Sequence, residues 1–372
     1  MIQQKLYKSF FYSTFLLVSS LLVSCTEENV LEKALSSSNK EILKVVEDID
    51  KHEVQILFTE VIEENGKTVF KDYSFQVNDS NYFYPASTVK FPVAILALEK
   101  LNKNSKVHRN TPFVIDSLRT TFTNEINKLF AVSDNLAYTR LFEYLGQDYI
   151  DSELEKRGIH ARISHRFSVP EPYALETKSL YFYEKDSLVF SSKTTTNNSI
   201  RNLTLNKLIK GKGYLTGDSL VNKPMNFSLK NYFPLTSQHN LMKQLMFPEL
   251  YPEERRFNLS KEDRAYVIHA MSNVPRYVGY DANEYYDSYV KFFLFGDSKQ
   301  DIPKHIKIHN KVGYAYGYLT DCAFIVNEQT NKKYIITATI HVNKNQIYND
   351  GVYEYEEIGI PFLAELGRQL TN

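Results

Sequence analysis

Strand-like segments lie at both ends of this chain and helical segments between them, and that placement restricts the fold more than any other feature. Near the start, Val54-Gln55-Ile56-Leu57-Phe58 reads as a strand, Asn65-Gly66 as a hairpin turn, and Thr68 to Phe75 as a second strand. Near the far end, Ile306 to Asn310, Asp321 to Val326 and Tyr334 to Val342 read as three more, with a closing helix over Ile358 to Leu370. Ile42, Val45, Val46 and Ile49 give an amphipathic helix ahead of the first strand. Helical spacing recurs over Phe91 to Leu101, at Ile126, Leu129 and Phe130, and at Ala137, Leu141, Phe142 and Leu145, where Gly146 stops it. The expected fold is α+β, a three-layer α/β/α arrangement. One antiparallel sheet is built from both chain ends and flanked by helices, with an all-helical subdomain inserted. Residues 176–234 are rich in Lys, Asn, Ser and Thr, with short strand-like pieces at Ser179 to Tyr183 and Ser187 to Ser191. They read as an insertion.

The first 24 residues read as an address rather than as structure. Lys5 and Lys8 precede an apolar stretch from Phe10 to Val23, too short for a comfortable spanning helix. It ends Leu22-Val23-Ser24-Cys25, which resembles the signal of bacterial lipoproteins, whose Cys is lipidated and becomes the mature N-terminus. The resemblance implies a protein of the bacterial cell envelope, lipid-anchored on the periplasmic side or outer surface. Residues 25–39 then read as the lipidated Cys and a tether, and 40–372 as the folded domain. Lys plus Arg and Asp plus Glu are equal at 44 each, which argues against nucleic acid as a partner. The only cysteines, Cys25 and Cys322, argue against a disulfide scaffold and Cys-rich metal sites.

Three short motifs carry possible chemistry. Ser87-Thr88-Val89-Lys90 opens the most apolar helix. A three-residue separation puts Ser87 and Lys90 on one helical face. A Lys kept neutral by burial can take the proton of a Ser nucleophile. The same spacing recurs at Ser37/Lys40 and Ser288/Lys291, so spacing alone equally describes a helix cap with a chance Lys. Ser133-Asp134-Asn135 is a natural helix cap. It could also relay a proton through Ser133, with Asn135 orienting Lys90 and holding a substrate amide. Lys311-Val312-Gly313 reads either as an edge-strand Lys with a bulge Gly, or as a cation beside a residue that lets a substrate backbone lie close.

Taken in order, these motifs resemble the class A serine β-lactamases and the related penicillin-recognising peptidases. Ser133-Asp134-Asn135-Leu136-Ala137 with Leu141 and Gly146, then Ala161-Arg162-Ile163, then Thr320-Asp321-Cys322-Ala323, extend the likeness over roughly 40–175 and 235–372. The resemblance implies a monomeric serine hydrolase without metal or other cofactor. Its substrate would be a β-lactam or a cell-wall peptide; alternatives are a D-Ala-D-Ala-type peptidase or esterase, and a non-catalytic binding lipoprotein. It gives Ser87 the nucleophile's role and Lys90 the base's, shared with Glu171 through water. Ser133 becomes the relay to the leaving nitrogen. Asn135, Lys311, Gly313 and Tyr314 become substrate-binding residues, with the N–H groups of Ser87 and Tyr314 as the oxyanion hole.

Two departures stand out. Val312 replaces the family's usual Thr, removing a hydroxyl that would bond a substrate carboxylate. Pro170-Glu171-Pro172 supplies a carboxylate for the Ω-loop, but no Leu-Asn follows at the family's spacing. Elsewhere, His305 and His309 read as a surface strand without further metal ligands, Gly211-Lys212-Gly213 as a turn, and Cys322 as a core residue.

Overall fold

Residues 29–371 are described by a computed structural model. The expected signal peptide over 1–24 and the lipidated Cys25 lie outside the described residues.

Asn29 and Asn39 each cap a short helix with a side-chain oxygen, α1 (Val30–Leu35) and α2 (Lys40–Val46). Leu31, Ala34 and Leu35 are buried and pack in the same cluster as the C-terminal helix. Residues 30–35 are therefore not part of a tether, as expected over 25–39, and the folded domain begins before residue 40. An apolar stripe with helical spacing, hidden among polar neighbours, is the reason.

β1 (Gln55–Glu64) and β2 (Lys67–Phe75) form the expected hairpin, with Asn65 and Gly66 both at positive φ. A 3₁₀ turn over Ala86–Val89 leads into α3 (Lys90–Asn102), which is buried along almost its whole length. β3 (Phe113–Ile115) and β4 (Leu118–Thr120) follow, then α4 (Phe122–Ala131), α5 (Asn135–Leu145) and α6 (Gln147–Glu155). The 176–234 segment supplies β5 (Tyr181–Glu184), β6 (Ser187–Ser191), β7 (Ile209–Lys210), β8 (Gly213–Thr216), β9 (Ser219–Val221) and β10 (Met225–Asn226). Next come α7 (Leu235–Met246) and α8 (Lys261–Ser272). β11 (Ile306–Ala315), β12 (Tyr318–Asn327) and β13 (Lys332–His341) complete the main sheet. β14 (Ile347–Tyr348) and α9 (Ile360–Thr371) close the chain.

The main sheet has the order β11-β12-β13-β1-β2 and is antiparallel throughout. Its centre joins the two ends of the chain, with Phe58 opposite Ile336. One face packs Ile56, Phe58, Ile308 and Ile336 against Phe362, Leu363 and Leu366 of α9. The other packs Cys322, Phe324 and Ile335 against α7 and α8. Burial of this kind stabilises by roughly 25 cal/mol per Å² of apolar surface. The inserted subdomain built on α3 to α6 is not all-helical as expected: β3 and β4 form a small sheet, β4-β3-β5-β6, that two strands from the 176–234 segment complete. Phe113, Phe122 and Phe182 hold that wall, with ring centroids 5.3 to 5.9 Å apart. β8, also from the insertion, pairs in parallel with β14.

Candidate active site

The 3₁₀ turn and β11 meet backbone to backbone, and Gly313 makes that possible. A Cβ at Gly313 would lie 2.5 Å from the Pro85 carbonyl oxygen and 2.8 Å from the amide nitrogens of Ser87 and Thr88. Glycine here is a matter of space between two main chains, not of a bulge. On the turn, Thr88 N–H and Oγ1 both bond the Pro85 carbonyl, and Ala86 is held at a φ of 46°. A non-glycine residue there is strained, which marks a conformation imposed by its surroundings. Ser87 is half-buried and faces a cleft of about 890 Å³.

Lys90 begins α3 and is fully buried. Its Nζ donates to the Ser133 carbonyl, to Asn135 Oδ1 at 2.7 Å and to Ser133 Oγ at 3.3 Å. Burial pulls its pKa down to about 7, against a smaller opposing pull from Asp134. The Phe167 ring covers it at 5.5 Å. An amine in this state is half-neutral near pH 7 and can accept a proton.

In Ser133-Asp134-Asn135 the cap and the chemistry are divided among the three residues. Asp134 caps α5, accepting the Ala137 N–H at 2.6 Å. Ser133, at a φ of 57°, and Asn135, the first helical residue, turn their side chains to Lys90. Lys311 reaches Ser133 from the opposite side, Nζ to Oγ at 2.8 Å. Burial, and then the nearby Lys90, hold the Lys311 amine well below its ordinary range. One hydroxyl thus bridges two amines.

Behind Lys311 stands a buried group that sequence reasoning missed. Lys291 Nζ donates to Asn310 Oδ1 at 2.6 Å, and Asn310 Nδ2 donates to Asp321 Oδ1 at 2.8 Å. Burial raises the Asp321 carboxyl to about 6 and lowers Lys291 to about 7. The signal was a lone Asp within an apolar strand. Of the other Ser-x-x-Lys pairs, Ser288/Lys291 is this buried structural pair, and Lys40 is exposed beyond its helix cap.

Not every expected residue joins the group. Glu171 is exposed and lines a separate depression of about 450 Å³, beside Arg140 and Lys178. It does not line the cleft that holds Ser87, so a role shared with Lys90 through water is not supported. The loop instead turns on Arg166, which bonds both oxygens of Glu143 and the carbonyls of Ala174 and Glu176. That anchoring presents Phe167 and Ser168 to the cleft, where Ser168 Oγ accepts from Asn135 Nδ2 at 2.9 Å. Val312 is buried in the core of the sheet's α9 side and does not line the cleft. Tyr314 lines the cleft and is well exposed, while Lys311, Lys90 and Gly313 lie behind its surface. Tyr84, Tyr316, Tyr353 and Tyr355 complete the wall and were not singled out in the sequence.

The remaining candidates are structural. Cys322 is buried in β12, and its thiol is pushed up to about 12. His309 Nδ1 pairs with the Ile268 carbonyl, while His305 precedes β11. Lys212 sits in the turn between β7 and β8. Among the described residues no cluster of three or more His, Cys, Asp or Glu could hold a metal.

A family model described as the beta-lactamase enzyme family matches residues 37–256, well over half of the chain. The match takes in Ser87, Lys90 and Ser133 and stops before Lys311. No curated protein matches the sequence. Among solved structures, a beta-lactamase from Xanthomonas campestris pv. campestris is 13% identical, with a TM-score of 0.50 over 92% of this chain and 99% of that one. A beta-lactamase from Desulfarculus baarsii is 12% identical, with a TM-score of 0.50 over 89% and 96%. At such identities the likeness is one of fold.

Proposed function

Because the chain belongs to the beta-lactamase enzyme family, we propose that it is a serine hydrolase of the class A type that works through a Ser87 acyl-enzyme. One observation carries the reading: a buried Lys90 amine, lowered to about 7 and bonded to Ser133 and Asn135, lies behind the cleft that Ser87 faces. Ser87 Oγ attacks the carbonyl, and Lys90 takes its proton. The N–H groups of Ser87 and Tyr314 stabilise the oxyanion. The proton passes through Ser133 Oγ to the leaving atom as its bond to carbon breaks. Lys311 supports Ser133 at 2.8 Å. Hydrolysis of a β-lactam amide is the family's eponymous chemistry.

A second reading, a peptidase or esterase acting on cell-wall material, draws support from a different observation. None of the described residues that line the cleft is a carboxylate or a histidine. Deacylation would then fall to Lys90 itself, and a penicilloyl adduct would persist. Intact-protein mass spectrometry after exposure to penicillin and to a fluorophosphonate tests both readings. A lasting adduct supports the second, a transient one the first. Labelling that survives Ser87→Ala overturns the shared mechanism. The envelope location rests on Cys25 and stands as part of the same proposal.

A further inference from the structure

The cleft that Ser87 faces is lined by aromatic rings and, among the described residues, by no charged side chain. Tyr84, Tyr314, Tyr316, Tyr353 and Tyr355 contribute five rings, and Phe167 closes the side towards Lys90. The rings hold one another edge to face or tilted. Tyr84 and Tyr316 lie 5.0 Å apart at 77°, Tyr314 and Tyr355 5.6 Å at 77°, and Tyr353 and Tyr355 5.2 Å at 38°. Two hydroxyls are fixed by main chain, Tyr355 accepting from the Gly317 N–H at 2.8 Å and Tyr353 from the Asn349 N–H at 2.7 Å. A wall so anchored meets a flat ring with little ordering cost.

Among the described residues, no Lys, Arg or His lines the cleft. Lys311 is 2% exposed, with its amine on Ser133 Oγ and the Val312 carbonyl. Lys90 has three acceptors of its own. Lys230 is turned between the rings of Tyr173 and Tyr316, 5.7 Å from each. The segment that carries Tyr353 and Tyr355 also carries Asp350, Glu354, Glu356 and Glu357, against Lys344 alone among the basic residues of 344–357. A carboxylate entering here would meet hydroxyls and amides but no cationic side chain, and so would lose water without gaining a charged partner, which is costly.

We propose that the substrate is an uncharged acyl ester or amide carrying an aromatic ring, with no carboxylate beside the scissile bond. The proposal rests on the Ser87 acyl-enzyme. Ser87 Oγ forms the new ester bond as the C–O or C–N bond to the leaving group breaks. The Ser87 proton leaves with that group, and water then releases the ring-bearing acid.

The test compares the phenylacetyl ester of 4-nitrophenol with the phenylacetyl ester of 5-hydroxy-2-nitrobenzoate, which adds one carboxylate to the leaving group. The acetyl ester of 4-nitrophenol reports on the ring. We expect kcat/KM at least about tenfold higher for the neutral phenylacetyl ester than for either comparison ester. Tyr353→Ala, at a half-buried ring of the wall whose main chain takes no part in the oxyanion hole, should lower the ratio of phenylacetyl to acetyl kcat/KM about three- to tenfold, the range of one aromatic pair. Fluorophosphonate labelling of Ser87 in the same preparation separates the two layers of argument. Labelling with equal or reversed ester preference overturns the substrate class and leaves the acyl-enzyme standing. No labelling and no turnover of any ester overturns both.

Discussion

Replacing Gly313 with alanine should damage the site as well as the fold. The nearest atom to the new Cβ would be the Pro85 carbonyl oxygen at 2.5 Å, whereas ordinary contact begins near 3.4 Å. Relief requires β11 and the 3₁₀ turn to separate by about 0.9 Å, and both obstacles are main chain, so no side chain can swing aside. Overpacking of this kind costs roughly 1–3 kcal/mol of stability. The same separation moves the Ser87 N–H away from the strand that carries Tyr314. A displacement near 1 Å at a reacting centre costs on the order of 100-fold in rate, or about 2.7 kcal/mol. The assay pairs urea unfolding with the second-order rate of fluorophosphonate labelling. Gly217→Ala is the control: Gly217 sits at a φ of 57° with nothing within 4 Å. Its alanine should cost about 1–2 kcal/mol through backbone strain alone and leave labelling unchanged. A Gly313→Ala protein that labels as fast as wild type would refute the argument.

Other predictions follow from the same geometry. Lys90 must be neutral to act as base, so the labelling rate should rise with pH, half-complete near 7 and about tenfold higher at pH 8 than at pH 6. Lys90→Arg should not label at any of these pH values, because a guanidinium keeps its proton. Glu171→Gln should leave both labelling and adduct decay unchanged in stopped-flow and mass measurements, since the carboxylate faces another depression. Arg166→Ala strands the buried Glu143 carboxylate and should lower stability by about 3–5 kcal/mol in urea melts. From the sequence rather than the geometry, the proposed lipidation of Cys25 predicts that Cys25→Ser leaves an unprocessed or mislocalised protein, read by immunoblot of fractionated cells.

The strands of the main sheet were legible because each carries a run of β-branched and aromatic residues bounded by turns. The Asn65-Gly66 hairpin was legible because only such a pair accepts two positive φ values cheaply. The small sheet around Phe113 and Phe182 was only partly visible. Its strands are three to five residues long, and β3 finds its second partner, β5, almost 70 residues away. Ser87, Lys90, Ser133, Asn135 and Lys311 could be read because they sit in short motifs whose chemistry depends on spacing. The tyrosine wall could not. Its members come from residues 84, 314–316 and 353–355, and only the fold brings them to one surface. Glu171 misled because a carboxylate between prolines looks poised, while the direction of the loop is decided by Arg166 and Glu143, whose pairing no local pattern announces.

The joining of β1 to β13 has a temporal consequence. The strand at 55–64 has one neighbour available almost at once, β2, but its other neighbour is not synthesised until residues 332–341 have left the ribosome. A two-stranded hairpin is marginal in water by itself. For most of its synthesis the chain therefore carries an unsatisfied strand edge and a half-covered apolar face, the kind of surface that binds chaperones and aggregates. Any factor that meets the nascent chain before residues 332–341 appear meets the main sheet incomplete, with β1 paired along one edge alone.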